Sequence, residues 1–229
     1  MTIEVKGNIV SDIVGTLYDQ IGVDSYTSPK KVKAQLKDCA FLDDIVVNIS
    51  SGGGDVFAAS EIYTMLRDSG KHVIVNIQGL AASAASVISM AGDKIRISPT
   101  AQIMIHKASN GIQGNADGMH HNAAVLDGID KSIAAAYVAK TGMKESDLIQ
   151  LMSNETWLTA KDAVDKGFAD EIMFNDEANN QNYQNATFGT VITDAVATQF
   201  LNSIQQTEKQ PSQPTNSVRE RKLAILLKD

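Results

Sequence analysis

Short apolar runs alternate with segments of helical period along the first hundred residues of this chain. Residues 45–49 and 73–77 are largely apolar runs of the kind found in buried parallel strands. Each run is followed by small residues and then by apolar positions at helical spacing, which predict helices over 56–67 and 83–91. Further strands are expected over 3–5, 94–97 and 102–105. Strands that alternate with helices indicate an α/β domain.

Capping residues give the bounds of two more helices. Ser28 and Pro29 fit the N-cap and first position of a helix that runs to about residue 40. Thr159 and Asp162 have the spacing of a capping box, with the acid as Asp, and their helix is expected to stop at Gly167.

The second half of the chain is built around one long helix. Residues 107–116 are rich in glycine and asparagine and predict a loop or an irregular extended segment. The long helix follows over 117–140 and ends at Gly142. A last strand is expected over 169–174.

The composition of the chain changes after Phe174. The remaining residues are polar and rich in Asn, Gln and Ser, with an apolar stripe at helical spacing over 191–204 and a short amphipathic segment over 219–228. We therefore expect a catalytic domain over 1–174 and a polar C-terminal extension over 175–229 that contains one or two short amphipathic helices.

Composition and charge exclude several classes of function. A net charge of −7 without a basic cluster argues against binding to nucleic acid or to an anionic membrane surface. Cys39 is the one cysteine, so neither an internal disulfide nor a cysteine metal site is possible. No His, Asp or Glu spacing fits a metal site, and no cofactor is expected.

One uncharged segment is long enough to cross a membrane. Residues 73–92 carry no charged side chain. The small-residue turn Gly79-Leu80-Ala81-Ala82-Ser83 breaks this segment, so a buried strand followed by a buried helix is the better interpretation. With no export signal visible at the N-terminus, a cytoplasmic location is expected, in a bacterium or in a phage-infected host cell.

Ser83 and His106 are the candidates for nucleophilic chemistry. Ser83 stands at the N-terminus of a predicted helix, where backbone N–H groups favour negative charge. His106 ends the strand over 102–105 just before the glycine-rich segment, and a neutral imidazole can take a hydroxyl proton. Each residue also has a structural interpretation, Ser83 as a small polar turn residue and His106 as a satisfied core histidine.

Backbone donors and a third acid would complete such a site. The loop over 52–54 lacks the ending of a phosphate-binding loop, but the N–H groups of Gly54 and Ala84 could hold an oxyanion. Glu155 is the best candidate to orient His106, with a solvated loop acid as the alternative. Asp127 and Asp170 remain to be tested for the same role.

Several segments together resemble the Clp-type serine peptidases (ClpP), and especially the ClpP-like head-maturation proteases of tailed phages and prophages. The resemblance covers about residues 1–174, in the family's order and with similar spacing. The segments that carry it are NISSGGGDV (48–56), GLAASAAS (79–86), IMIH (103–106), ETWLTA (155–160), DAV (162–164) and GFAD (167–170).

The resemblance implies a ClpP/crotonase-like fold of repeated β-β-α units with a long handle helix. It implies that Ser83 is the nucleophile, His106 the general base and Glu155 the third triad member, with Gly54 and Ala84 forming the oxyanion hole. The housekeeping enzymes have Asp where this chain has Glu155, and Ser-Pro-Gly-Gly where it has Ser51-Gly52-Gly53-Gly54.

The resemblance also implies how substrate is held. The segment that follows Gly54 and the loop that follows His106 match strands that bind a peptide by β-augmentation. The residues expected to contact substrate are Gly53, Asp55, Val56, Lys107 and Ala108.

A ring-shaped homo-oligomer is expected, either a heptamer or a double heptamer with its sites facing an inner chamber. The axial segment that contacts an unfoldase in the housekeeping enzymes has no obvious counterpart before Ile3, so an ATPase partner is not expected. The predicted function is an ATP-independent serine endopeptidase that acts on phage capsid or scaffold polypeptides. The alternatives are a catalytically vestigial assembly or scaffold protein and an acyl-CoA hydratase-type enzyme of the same superfold.

Overall fold

A computed structural model describes residues 2–39 and 41–174 of the chain. The expectations for the extension over 175–229 lie outside these residues. The described strands are β1 (Thr2–Ile9), β2 (Tyr26–Thr27), β3 (Asp44–Gly54), β4 (His72–Ala82), β5 (Lys94–Ile97), β6 (Gln102–Ile105), β7 (Thr156–Thr159) and β8 (Glu171–Ile172). The described helices are α1 (Asp12–Gln20), α2 (Pro29–Asp38), α3 (Val56–Arg67), α4 (Ala84–Ser89), α5 (Ala116–Thr141), α6 (Glu145–Ser153) and α7 (Ala160–Asp165).

The strands form one sheet in the order β2-β1-β3-β4-β5-β8, and β6 pairs with both β4 and β7. The β6–β7 pair is antiparallel, whereas β3 and β4 pair in parallel with each other and with their other neighbours. The alternation of strands and helices confirms the predicted α/β class. Along β3 and over residues 72–77 of β4, alternate residues are buried and those between them are partly buried or exposed, which places the core on one face of each strand.

The residues predicted to cap helices form the expected hydrogen bonds. Ser28 Oγ accepts from the Lys31 N–H at the start of α2, and Thr159 and Asp162 form the reciprocal capping box of α7. The long helix α5 ends at Gly142, which has the left-handed φ of 69° that glycine adopts without strain. These caps confirm the predicted ends of the three helices to within one or two residues.

β3 and β4 are longer than predicted, because both continue into the small-residue segments that follow their apolar runs. Residues 52–54 are part of β3 rather than a loop, and Gly54 pairs with Ile9 of β1. β4 first pairs with β5 and then continues through Ala82, pairing there with β6. The expected turn over 79–82 is therefore strand, and the chain turns only at Ser83.

Four elements had not been predicted, namely α1, β2, α6 and β7. The expected last strand over 169–174 is shorter, since only Glu171 and Ile172 pair with β5. Among these four, β7 matters most for the site. It pairs with β6, which in turn pairs with the last residues of β4, so β7 adds a strand to this part of the sheet.

Candidate active site

Ser83 occupies a strained turn between β4 and α4. Its φ of 54° and ψ of −123° lie in a region that residues other than glycine rarely adopt. The Ser83 N–H donates to the Met104 carbonyl of β6 at 2.9 Å. A sharp strand-to-helix turn of this kind projects a serine hydroxyl from the end of a sheet, and backbone strain of this kind clusters at functional sites.

His106 follows the neighbouring strand and meets Ser83 there. Ala82 and Met104 are paired residues of β4 and β6, so Ser83 and His106 come one and two residues after a matched pair. His106 Nε2 lies 2.7 Å from Ser83 Oγ. In the tautomer that carries its proton on Nδ1, the imidazole accepts a hydrogen bond from the Ser83 hydroxyl. The structure thus brings together the two residues that the sequence singled out.

Glu155 lies near His106 in the backbone, but its carboxylate contacts another group. Ile105 pairs with Thr156, so extending the β6–β7 register by one residue sets His106 opposite Glu155. Glu155 is exposed, has a φ of 46°, and accepts a 3.3 Å hydrogen bond from the Trp157 indole N–H through Oε1. In this side-chain conformation the carboxylate is not bonded to the imidazole.

The other two acids considered for this role differ in their surroundings. Asp170 Oδ2 accepts from Lys140 Nζ at 2.8 Å and from the Ile95 N–H at 2.5 Å, so its carboxylate ties α5 to β5. Asp127 is an exposed residue on α5. Neither has a hydrogen bond to His106 among the described residues.

The glycines of β3 let its backbone approach the Ser83 turn closely. A Cβ on Gly53 would lie 2.7 Å from the Ala82 carbonyl oxygen and 3.0 Å from the Ala84 nitrogen. A Cβ on Gly54, whose φ is 145°, would lie 2.1 Å from the Ile9 carbonyl oxygen. Only glycine fits these two positions without a shift of the backbone.

Gly54, Ser83, Ala84 and His106 line a single cleft of about 550 Å³. The Ala84 N–H has no acceptor among the described residues, as expected for the first residue of a helix. A free N–H beside the Ser83 hydroxyl is the arrangement that stabilises a developing oxyanion.

Apolar side chains line part of the cleft. Val87 of α4 and Ile133 of α5 line it together with the buried Tyr137. The Tyr137 hydroxyl lies 2.7 Å from Ser86 Oγ, and burial raises the pKa of this phenol above its usual range. The Tyr137 side chain is therefore neutral. Together with Val87 and Ile133 it gives the cleft a surface that can bind an apolar side chain of a ligand.

The segments expected to hold substrate as strands have other structures. Asp55 is the N-cap of α3, where Oδ1 accepts from the Phe57 and Ala58 N–H groups, and Val56 is the first helical residue. Residues 107–115 have no regular secondary structure. The expectation of a strand after Gly54 is therefore wrong, because the Asp55 cap starts the helix at once.

At Gly53, Lys107 and Ala108, three of the expected contact residues, the main-chain N–H already has a partner. The N–H of Gly53 donates to Ser51 Oγ at 3.1 Å, and the N–H of Lys107 donates to the Met152 carbonyl at 3.2 Å. The Ala108 N–H donates to Asp130 Oδ1 at 2.8 Å. These three N–H groups are therefore already used by contacts within the chain.

Asp130 was not identified from the sequence, although its position contained a signal. It lies three and four residues before Ile133 and Ala134 and seven before Tyr137, all of which are buried. A charged residue on the buried stripe of an amphipathic helix is unusual and needs a partner.

Among the residues that the structure describes, no group of three or more His, Cys, Asp or Glu side chains could hold a metal ion. None of the helices in residues 2–39 and 41–174 has the length and hydropathy needed to span a bilayer.

Fold and site together define a class: an α/β protein whose sheet presents a serine–histidine pair where two neighbouring strands end. The sequence profile described as Clp protease matches residues 7–176. The chain therefore belongs to the Clp protease family, a family of serine peptidases. This assignment confirms the ClpP-like fold expected from the resemblance.

Curated relatives agree with the family assignment. An ATP-dependent Clp protease proteolytic subunit of Bacteroides fragilis is 30% identical over 156 residues, which cover 66% of this chain and 75% of the relative. The corresponding subunit of Porphyromonas gingivalis is also 30% identical, over 66% of this chain and 70% of the relative. Subunit 1 of Chlamydia abortus is 33% identical over 57% of this chain and 70% of the relative. The head-maturation subtype stays a prediction.

Proposed function

We propose that this chain is a serine endopeptidase in which Ser83 is the nucleophile and His106 the general base. The observation that carries the proposal is the 2.7 Å contact between Ser83 Oγ and His106 Nε2 at the open end of the sheet. Membership of the Clp protease family supports it, because that family hydrolyses peptide bonds.

The proposed reaction uses four of the residues that line the cleft. His106 Nε2 takes the proton of Ser83 as the hydroxyl oxygen attacks the scissile carbonyl. The N–H groups of Gly54 and Ala84 hold the negative charge on the carbonyl oxygen. His106 then donates the proton to the leaving amine, and a water molecule activated by the same imidazole hydrolyses the acyl-enzyme.

Glu155 is the proposed third member, with its carboxylate on His106 Nδ1 once substrate is bound. Its backbone position opposite His106 supports this role. The Glu155 side chain must first break its hydrogen bond to the Trp157 indole. This bond is long, at 3.3 Å, and exposed to solvent.

The proposed substrates are polypeptides, specifically phage capsid or scaffold proteins, cleaved in the cytoplasm of a bacterium or infected host without an ATPase. The resemblance to head-maturation proteases is the support for this substrate class. The Bacteroides, Porphyromonas and Chlamydia relatives are named as subunits of ATP-dependent proteases, so cooperation with an unfoldase is the alternative.

The assembly proposed for the active protein is a ring of seven subunits, single or stacked in pairs, with the clefts facing an inner chamber. The segment resemblance is the support for this assembly. A sequestered site would restrict hydrolysis to chains that can enter the chamber.

The acyl-CoA hydratase alternative predicts carboxylates that face the reacting atoms. Among the described residues that line the cleft, Asp55 alone carries a carboxylate, and that group caps α3. The vestigial assembly protein predicts no turnover at all, so activity measurements distinguish it from a peptidase.

Hydrolysis of fluorogenic peptides and unfolded casein in the absence of ATP tests the proposed function. We expect turnover that falls by at least ~10⁴-fold in Ser83→Ala, because the nucleophile is lost. Ser89→Ala is the matched control, since Ser89 is a buried serine on the helix that follows Ser83 and does not line the cleft. Full turnover in Ser83→Ala, or no turnover by the assembled wild type, would contradict the proposal.

A further inference from the structure

Asp130 is the only charged residue among the buried residues of the described chain. Its exposed fraction is 4%, and its neighbours on α5 include the buried Ile133 and Ala134. A carboxylate is costly to bury unless hydrogen bonds or an opposite charge compensate for the lost water. The contacts of Asp130 therefore show what this buried charge stabilises.

Both carboxylate oxygens of Asp130 contact the two residues that directly follow His106. Oδ1 accepts from the Ala108 N–H at 2.8 Å. Oδ2 lies 3.6 Å from Lys107 Nζ, and the two groups form an ion pair. A hydrogen bond to an ionised acceptor is stronger than one between neutral groups, so this contact holds the backbone firmly.

The segment after His106 has few other attachments. Residues 107–115 have no regular secondary structure, and β6 ends at Ile105. The Lys107 N–H donates to Met152 O, and the side chains of Asn110 and Asn122 exchange two hydrogen bonds on the surface. Asp130 thus supplies the buried side-chain attachment nearest to His106.

We propose that Asp130 is a positioning residue for His106 and for the cleft wall beside it. By fixing the Ala108 N–H, it sets the direction in which the chain leaves His106, and so keeps Nε2 on the Ser83 hydroxyl. It also keeps Ala108, Ser109 and Asn110 in place along the cleft. This inference depends on the proposed peptidase function.

Steady-state hydrolysis by Asp130→Ala and Asp130→Asn tests the proposal. We expect kcat per folded molecule to fall ~10- to 100-fold in Asp130→Ala, because a displacement of the imidazole by about 1 Å costs this much. Asp130→Asn is expected to restore most of the rate, since its amide oxygen can still accept from the Ala108 N–H. A purely structural role would lower the folded fraction and leave the rate per folded molecule unchanged.

The control for general destabilisation is Val32→Ala. Val32 is a fully buried residue of α2 that does not line the cleft, so this change leaves a cavity in the core. It should lower the melting temperature and leave kcat unchanged. Wild-type kcat in folded Asp130→Ala, or an equal loss in Asp130→Ala and Asp130→Asn, would overturn the role of the Ala108 hydrogen bond. The same results would leave the peptidase function intact, whereas an inactive wild type would contradict both.

Amide hydrogen exchange of the wild type tests the contact without any variant, should Asp130→Ala fail to fold. The Ala108 amide is expected to exchange slowly, whereas the amides over 109–115, which lie outside regular secondary structure, are expected to exchange fast. Fast exchange at Ala108 would overturn the proposal.

Discussion

Hydrogen bonds at both the backbone N–H and the carbonyl of Ser83 hold this residue in the turn between β4 and α4. Its N–H donates to Met104 O, and its carbonyl accepts from the Ser86 N–H at 2.9 Å and from Ser86 Oγ at 2.6 Å. These bonds compensate for the strained φ and leave the hydroxyl with His106 as its partner. At the scale of single residues, the proposed nucleophile is positioned by hydrogen bonds to its own backbone, and the proposed base follows directly on strand β6.

Replacing Glu155 tests the third member of the proposed triad. We expect Glu155→Gln to lower kcat by up to ~10⁴-fold, as when a triad carboxylate becomes an amide and the imidazole takes the wrong tautomer. Trp157→Phe removes the indole N–H that now holds Glu155 and is expected to keep kcat within a few-fold of wild type. Turnover measured on a fluorogenic peptide distinguishes the two.

Asp170→Asn is the control for charge, because the Asp170 carboxylate is paired with Lys140. Unchanged kcat in Glu155→Gln would show that Glu155 does not orient the base.

Sequence patterns predicted Ser83 because it follows a small-residue turn at the start of a helix, and His106 because it follows an apolar strand and precedes a glycine-rich segment. They could not predict the direction of the Glu155 carboxylate, which depends on a hydrogen bond to Trp157 two residues later. Asp130 carried one signal, a charge on the buried stripe of a helix, but its contact with Ala108 joins residues distant in sequence and could not be predicted from a local pattern.

At the scale of elements, Gly53 and Gly54 at the end of β3 allow its backbone to lie close to the end of β4 and the start of α4. Gly53→Ala is expected to destabilise the fold by about 1–3 kcal/mol and to lower turnover, because φ is 98° and the new Cβ would meet the Ala82 carbonyl. Gly52→Ala is the matched control, with open space at its Cβ position and no positive φ. Urea unfolding gives the free energy of unfolding of both variants. Equal values for Gly53→Ala and Gly52→Ala would contradict the close approach of Gly53 to the Ala82 carbonyl.

The Asp93 carboxylate joins α3 to β4. Its pKa lies below the usual value of 3.8, first because Oδ2 accepts from the Val73 N–H, and also because of the ion pair with Arg67. A lowered pKa stabilises the fold above pH 3.8, and this contribution is lost as the pH falls through the lowered value.

Asp93→Ala is therefore expected to cost about 1 kcal/mol at pH 7, a small value because the side chain is one-third exposed. The difference from wild type should shrink below pH 3.8. Urea unfolding across pH measures it, and a difference that does not change with pH would contradict the assignment.

Helical periodicity and caps predicted α2, α3, α5 and α7 because each buries a stripe or has a strong end signal. The helix α1 was missed because Gly15 is its only buried residue, so it has no apolar stripe that faces the core. The strand β7 is four residues long, and its pairing with β6 joins segments far apart in the chain. The β4 extension escaped prediction because its second partner, β6, cannot be read from the local sequence.

At the scale of the whole molecule, exposed apolar side chains point to self-association. Ile13, Val14, Leu17 and Ile21, all in or next to α1, are between 37% and 85% exposed. Such a group of apolar side chains on one surface helix is typical of an interface. Native mass spectrometry is expected to find a ring of seven 24.5 kDa chains, about 172 kDa, or twice that mass.

Ile13→Asp is expected to shift the protein toward smaller species, with Ile112→Asp, also exposed but outside α1, as the control. A wild-type protein that is monomeric at micromolar concentration would contradict the ring.

The most direct test of the central claim is the covalent labelling of Ser83. The assembled protein is treated with a fluorophosphonate, which reacts with activated serine hydroxyls, and the adduct is located by peptide mass spectrometry. The proposed site predicts one adduct per chain on Ser83, absent from Ser83→Ala and strongly reduced in His106→Ala. An assembled wild-type protein that stays unlabelled, or that is labelled at a different serine, would contradict the claim that Ser83 and His106 form a catalytic pair.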